Sequence, residues 1–167
     1  MANQTWIIAA LVEHKPGVLY KVSNMFRRRS FNIESISVGP TEQGMARMTI
    51  TVTGDESTVE QLVKQMAKLV DIIKVSTLES GNSVIRELAL VKVHIPNTTA
   101  RSDVIQYANI FRGRVVDVSP ESLIIEVTGT SDKINAFIEL MRSFGVMELA
   151  RTGITALIRG PKMIKVK

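Results

Sequence analysis

The chain has 167 residues, of which 45% are hydrophobic and 22% charged, with a formal net charge of +5 and no cysteine. These proportions are typical of a soluble globular protein, and the lack of cysteine excludes disulfides, thiolate zinc sites and thiol nucleophiles. The longest early apolar run, Trp6 to Val12, is far shorter than the roughly 20 residues of a membrane span, so we predict no membrane partner and a cytoplasmic location.

The first 79 residues predict four strands and two helices. Residues 5–13 are rich in Ile, Val and Leu and predict a buried strand, and apolar residues then recur at helical spacing from Val18 to Phe26. A second helix begins near Ser57, which stands at capping-box spacing from Glu60. The other strands are predicted over residues 31–39, 46–53 and 70–78. This order, βαββαβ, predicts an antiparallel sheet with both helices on one face.

The second half of the chain repeats this pattern. Val52-Thr53-Gly54 recurs as Val127-Thr128-Gly129, and the apolar positions of the following helix recur at the same offset. The elements predicted here are a strand from Leu88 to Ile95, a helix from Ser102, strands at 115–118 and 123–128, and a last strand from Met147 to Ile158. We therefore predict the α+β class, with two tandem ferredoxin-like βαββαβ domains over residues 1–79 and 80–167.

The first predicted sheet is apolar on both faces. Strands such as residues 5–12 have apolar side chains on both sides, whereas the two helices cover only one of them. We expect a second domain or a second subunit to cover the other face.

The segment between the first strand and the first helix has the features of an anion site. Pro16 fixes φ near the value of a first helical turn, and Gly17 lets backbone amides approach a bound group. The first amides of a helix lack internal acceptors and lie at the positive end of its dipole, so a carboxylate would bind there. Asn32 could hydrogen-bond the same ligand. The alternative is a glycine that serves only the turn, and these residues alone do not decide between the two.

Several sequence blocks follow one another in a fixed order. They are Glu13-His14-Lys15-Pro16-Gly17-Val18-Leu19, Phe31-Asn32-Ile33-Glu34-Ser35-Ile36-Ser37-Val38, and shorter blocks that begin at Arg47, Lys68, Arg86, Phe111 and Ala150. In this order and spacing they resemble the small, regulatory subunits of acetohydroxyacid (acetolactate) synthase, whose first domain is an ACT domain. The resemblance covers nearly the whole chain.

This resemblance implies a feedback site for an amino acid, usually valine, at an interface between two ACT domains. Loop amides would bind the carboxylate, an asparagine the ammonium, and apolar side chains the branched side chain. His14 departs from the family, which often has Asn at this position. The effector-binding residues implied are His14, Pro16, Gly17, Val18, Leu19, Asn32 and Ile33. The second domain has His94–Thr99 at the equivalent place, without a glycine, so we expect one ligand loop per chain.

The resemblance also implies a regulatory protein without catalysis of its own. Such a chain would form a homodimer or a higher homo-oligomer, bind the catalytic large subunit, raise its activity and confer feedback inhibition. Thiamine diphosphate, Mg²⁺ and FAD would belong to the catalytic partner, so no cofactor is expected in this chain. A free-standing amino-acid sensor that acts on another enzyme or regulator is the alternative.

Two other classes of function are disfavoured by the residues. His14 and His94 fall in different predicted domains, and no carboxylates stand at metal or acid/base spacing, which argues against an enzyme. The same topology serves RNA-binding modules, but the chain has only 1 Trp, 2 Tyr and 5 Phe and no basic-Gly-Phe strand motif. We therefore expect no nucleic-acid partner.

Overall fold

The computed structural model describes residues 4–41 and 44–164. They divide into two compact units: the described residues up to Ile85 together with those from Ile154 onward, and Arg86–Gly153. Each unit contains an antiparallel sheet built from a βαββαβ sequence, and the predicted fold class, two tandem ferredoxin-like domains, is confirmed. The division differs from a boundary between residues 79 and 80, because residues 80–85 and the described residues 154–164 belong to the first unit.

The first unit has its strands in the order β2-β3-β1-β4, with each neighbouring pair antiparallel. Its elements are β1 (Gln4–Glu13), α1 (Val18–Arg28), β2 (Ser35–Pro40), β3 (Met45–Gly54), α2 (Glu56–Met66) and β4 (Ile72–Leu78). Because β4 lies beside β1, the residue that precedes β4 comes next to the end of β1, and Glu13 N donates to Asp71 O at 2.9 Å.

Strand β1 is central in this sheet and is buried on both faces. Ile8, Ala10 and Val12 point into a core that includes Phe26 of α1 and Leu62 of α2. Their neighbours Ile7 and Ala9 point to the opposite face, since successive side chains alternate across a strand. Burial of both faces explains why β1 is apolar at successive positions, and the prediction of a buried first strand is confirmed.

The helix-free face of this sheet is covered by the last described segment of the chain. Ile7, Ala9 and Leu78 form a buried cluster with Ala156, and Ile154, Ile158 and Ile164 pack around it. Polar contacts hold the segment as well, because Arg47 Nη2 donates to Ala156 O at 2.9 Å. At least part of the cover expected from a second domain or subunit is thus supplied by residues 154–164.

The second unit contains a sheet with the strand order β6-β7-β5-β8. The elements that follow β4 and lie in this unit are β5 (Ser83–His94), which starts in the first unit, α3 (Thr98–Ile110), β6 (Arg114–Val118), β7 (Ser122–Gly129), α4 (Ser131–Arg142) and β8 (Val146–Arg151). The last strand, β9 (Thr155–Ile158), belongs to the first unit and pairs with β5. The core of the second unit lies between the sheet and α3 and α4, with Val91, Ile125 and Phe137 among its fully buried members.

An ion pair between the exposed Arg151 and the buried carboxylate of Glu87 joins three elements of the second unit. The guanidinium of Arg151 contacts both carboxylate oxygens of Glu87, Nε to Oε1 at 2.5 Å and Nη2 to Oε2 at 3.0 Å. Ser131 Oγ, at the start of α4, donates to Glu87 Oε2 at 3.0 Å. These contacts lower the pKa of Glu87, with the bond from Arg151 the largest cause.

Several predicted element ends are wrong, and each has a local cause. Helix α2 is capped by Asp55, which accepts from Thr58 N, rather than by Ser57. Helix α3 begins at Thr98, four residues before Ser102, because Asn97 caps it. Strand β2 begins at Ser35 rather than at residue 31. The single last strand predicted from Met147 to Ile158 is two strands, β8 and β9.

Candidate ligand site at the start of helix α1

Four residues connect β1 to α1, and the last of them is the helix N-cap. Gly17 has a φ of 87°, a left-handed conformation that a residue with a Cβ adopts only with strain. Pro16 therefore lies before the N-cap and outside the first helical turn. Within residues 4–41 and 44–164, no heavy atom beyond its chain neighbours lies within 4 Å of a Cβ built on Gly17, so the described residues leave the space beside the helix start open.

The N-terminus of α1 receives no hydrogen bond from a capping side chain. No acidic residue lies in its first turn, and the first helical hydrogen bond, Lys21 N to Gly17 O at 3.0 Å, leaves the preceding amides available. The corresponding helix of the second unit differs, because Asn97 Oδ1 accepts from Ala100 N at 2.9 Å. Of the two equivalent helix starts, the one in the first unit is open to an external acceptor.

The loop is held against the sheet by an ion cluster centred on Asp71. This carboxylate is only 2% exposed and contacts two ammonium groups, Lys15 Nζ at 2.6 Å and Lys21 Nζ at 2.5 Å. Lys15 also forms an ion pair with Glu13. The bonds from Lys15 and Lys21 lower the pKa of Asp71, and those from Asp71 and Glu13 raise the pKa of Lys15.

Sequence reasoning missed Asp71 as part of the site. Its two lysine partners precede it by about 50 residues, and only the pairing of β1 with β4 brings the three together. The available signal was its place in the block Lys68-Leu69-Val70-Asp71, where a charged residue follows an apolar run.

The residues predicted for the site lie at two places in the first unit: residues 14–19 in the loop and first turn of α1, and residues 32–33 after the end of α1. His14, Pro16 and Gly17 are exposed, and the Leu19 side chain, 49% exposed, lies on the open side of the first helical turn. Val18 is only 4% exposed and belongs to the core, so its backbone amide alone can contact a ligand. The backbone N of His14 donates to Gly44 O at 3.3 Å.

Asn32 and Ile33 lie at the other end of the unit. Both follow the C-terminus of α1, an 11-residue helix whose length is about 16 Å. The strand register agrees: Ser35 lies opposite Thr51, which lies opposite Ile7, six residues or about 20 Å before Glu13. The Asn32 side chain is exposed and donates to Glu34 Oε1 at 3.3 Å. One chain does not bring Asn32 to Gly17.

The described residues, 4–41 and 44–164, contain no group of three His, Asp or Glu side chains that could hold a metal ion. His14 and His94 lie in different units. No helix in these ranges is long and apolar enough to span a membrane.

The fold and the open loop define a protein of the ACT-domain class. Residues 8–74 match the family model described as the AHAS small subunit-like ACT domain, and residues 86–160 match that of the small subunit of acetolactate synthase. The chain belongs to the acetolactate synthase small-subunit family.

Relatives with this name cover nearly the whole chain. A protein of Methanothermobacter thermautotrophicus, named probable acetolactate synthase small subunit, is 59% identical over 97% of both chains. The acetolactate synthase small subunit of Mycolicibacterium smegmatis is 49% identical over 96% of this chain and 94% of its own. The crystal structure of the acetolactate synthase small subunit from Thermotoga maritima matches 95% of this chain and 99% of its own, with 44% identity and a TM-score of 0.89.

Proposed function

We propose that this chain is the regulatory subunit of an acetolactate synthase. It binds the catalytic large subunit, raises its activity and makes that activity sensitive to a branched-chain amino acid, with valine as the first candidate. The proposal rests on the small-subunit family and on its named relatives. The chemistry, and with it thiamine diphosphate, Mg²⁺ and FAD, belongs to the catalytic partner in the cytoplasm.

The observation that favours an effector site in the first unit is the difference between the start of α1 and the equivalent start of α3 in the second unit. The amides at the start of α1 have no capping side chain, whereas Asn97 occupies the equivalent amides of α3. A helix N-terminus attracts a carboxylate through its free amides and its dipole. The α-carboxylate of an amino acid is an acceptor of this kind, and the left-handed Gly17 keeps the approach clear of a Cβ.

In the proposed complex, two copies of the chain form each site. The amides of Val18 and Leu19 in one copy bind the carboxylate, and Asn32 of a second copy binds the ammonium. The Leu19 side chain and Ile33 contact the branched side chain. Each buried CH₂ contributes about 0.8 kcal/mol, so valine, leucine and isoleucine are separated only weakly by such contacts. A homodimer is the smallest assembly that completes the site.

Regulation then follows from linkage. An amino acid that bridges two ACT domains stabilises the paired arrangement to which it binds. It can change the activity of the catalytic subunit only to the extent that its affinity differs between the two arrangements of the ACT domains.

The test is acetolactate formation by the catalytic subunit from the same genome, measured alone, with this chain, and with this chain plus valine, leucine or isoleucine. We expect activation by the chain and its reversal by at least one amino acid. Activation without reversal would overturn the effector part of the proposal. If the chain has no effect at all, a free-standing sensor of another system becomes the better interpretation.

A further inference from the structure

Asp71 contacts the two ends of the open loop at once. Its backbone O accepts from Glu13 N, the last residue of β1, and its carboxylate contacts Lys15 within the loop. The same carboxylate contacts Lys21, one helical turn beyond Gly17. Residues on both sides of Gly17 are therefore fixed to one buried group at the start of β4.

These contacts also determine which hydrogen-bond donors of the loop are left to bind the carboxylate of an effector. The ammonium of Lys15 lies between the carboxylates of Glu13 and Asp71, so its charge is already neutralised. An effector carboxylate at Lys15 would therefore meet repulsion from both carboxylates. Among the residues that the structure describes, no side chain caps the backbone amides at the start of α1, and no acidic residue lies in the first turn of this helix.

We propose that Asp71 is a positioning residue for effector binding: through Lys15 and Lys21 it holds the β1–α1 loop in the conformation that presents the α1 amides to a carboxylate. The inference rests on the proposed effector site and adds a residue to it that does not touch the ligand. Preorganisation of this kind raises affinity because less loop order has to be created on binding. Loss of Asp71 should thus weaken the amino acid response more than the activation of the partner.

The direct test replaces Asp71 by asparagine, which keeps the shape and removes the charge. For D71N we expect the valine concentration at half-maximal inhibition to rise by about fivefold or more, which is within the usual range of coupling between sites. The maximal activation of the catalytic subunit should change by less than about twofold. E87Q is the matched control, because it also removes the charge of a buried carboxylate, but in the second unit. An equal shift in D71N and E87Q would overturn the proposal.

A second variant separates positioning from direct ligand contact. If Lys15 acts through Asp71, the effects of K15M and D71N on half-maximal inhibition will not add in the double variant. Additive effects would show that Lys15 contacts the effector itself and would overturn the proposal. Lys15 is 46% exposed, so K15M tests the cluster even if D71N does not fold.

Amide hydrogen exchange tests the positioning without any effector. In D71N we expect the hydrogen-bonded amides of Glu13, His14, Lys15 and Lys21 to exchange at least about fivefold faster than in the wild-type chain, while those of β7 are unchanged. Equal exchange rates in both proteins would overturn the positioning role. The two proposals can also fail separately. If the loop amides exchange faster in D71N but no amino acid inhibits the wild-type complex, Asp71 positions the loop and the proposed effector function is wrong.

Discussion

Gly17 and Asn32 lie at opposite ends of helix α1, about 16 Å apart along its axis. A free amino acid is too short to contact both residues of one chain. If both contribute to binding, each site combines Gly17 of one copy with Asn32 of another.

This relationship predicts complementation between two variants. G17D places a carboxylate beside the α1 amides, and N32A removes the proposed ammonium acceptor, so each variant alone should lose most of its valine response. Mixed oligomers of G17D and N32A should regain part of it, because one of the two sites in a mixed dimer then has neither substitution. Valine inhibition of the reconstituted enzyme measures the recovery. G17A, which adds strain but no charge at the left-handed position, serves as the control and should keep more of the response than G17D.

Failure to recover in the mixture, with both variants folded and mixed, would place the whole site within one copy. A loss of folding in G17A as well as in G17D would instead assign the glycine to the turn alone.

His14 predicts a hydrogen bond to the effector. Its exposed side chain lies in the loop, and an imidazole N–H can donate to a bound carboxylate. H14A should therefore raise the valine concentration at half-maximal inhibition by about threefold or more. H14N keeps a donor at this position and should change that concentration less.

The measurement is the valine concentration at half-maximal inhibition of the reconstituted complex, with each activity normalised to that of the uninhibited complex. Identical values for H14A and the wild-type chain would remove His14 from the site.

The Glu87–Arg151 pair predicts a loss of stability in acid. Because the pKa of Glu87 in the folded chain lies below its ordinary value of 4.5, the pair stabilises the folded state fully above that value. Its contribution is lost as the pH falls through the lower, folded pKa. At pH 7, E87Q should reduce the free energy of unfolding by about 1 to 3 kcal/mol, since it leaves the Arg151 guanidinium without its carboxylate partner.

Urea unfolding followed by circular dichroism from pH 7 to about 3 checks this expectation. The difference between E87Q and the wild-type chain should narrow as the pH falls. E148Q is a suitable control, because Glu148 pairs with Lys92 at 2.9 Å on the surface, where its side chain is 72% exposed, and such pairs contribute little. A constant difference between E87Q and the wild type at all pH values would contradict the assignment.

Residues 154–158 cover the helix-free face of the first unit, so substitutions at two adjacent residues should differ in their effect on stability. Ala156 is 2% exposed and packs on Ile7 and Ala9, whereas Leu157 is 60% exposed on the other side of β9. A156N would bury an amide in an apolar cluster and should cost about 2 to 4 kcal/mol, and L157N should cost less than about 0.5 kcal/mol. Trp6, the one tryptophan of the chain, reports the unfolding of this unit through its fluorescence.

Similar stabilities for A156N and L157N would show that residues 154–158 do not cover the sheet in solution.

The sequence alone predicted the kinds of element and their order. The apolar positions of β1 and of α1 to α4 follow from burial of one or two faces, and this periodicity is a local property of the chain. The repeat of Val52-Thr53-Gly54 predicted the second unit, and Pro16 with Gly17 predicted the start of α1. Element ends were predicted less well, because caps such as Asp55 and Asn97 compete with neighbouring polar residues for the same amides.

Only the tertiary structure decided which distant residues meet. Asp71 reaches Lys15 and Lys21 because β4 pairs with β1, a pairing between segments about 60 residues apart that no local pattern specifies. The same strand order sends Asn32 to the far end of the sheet from Gly17, and the return of β9 brings Ala156 onto Ile7. Ion pairs and the covering of sheet faces depend on such non-local packing, whereas helix and strand periodicity depends on neighbours in the sequence.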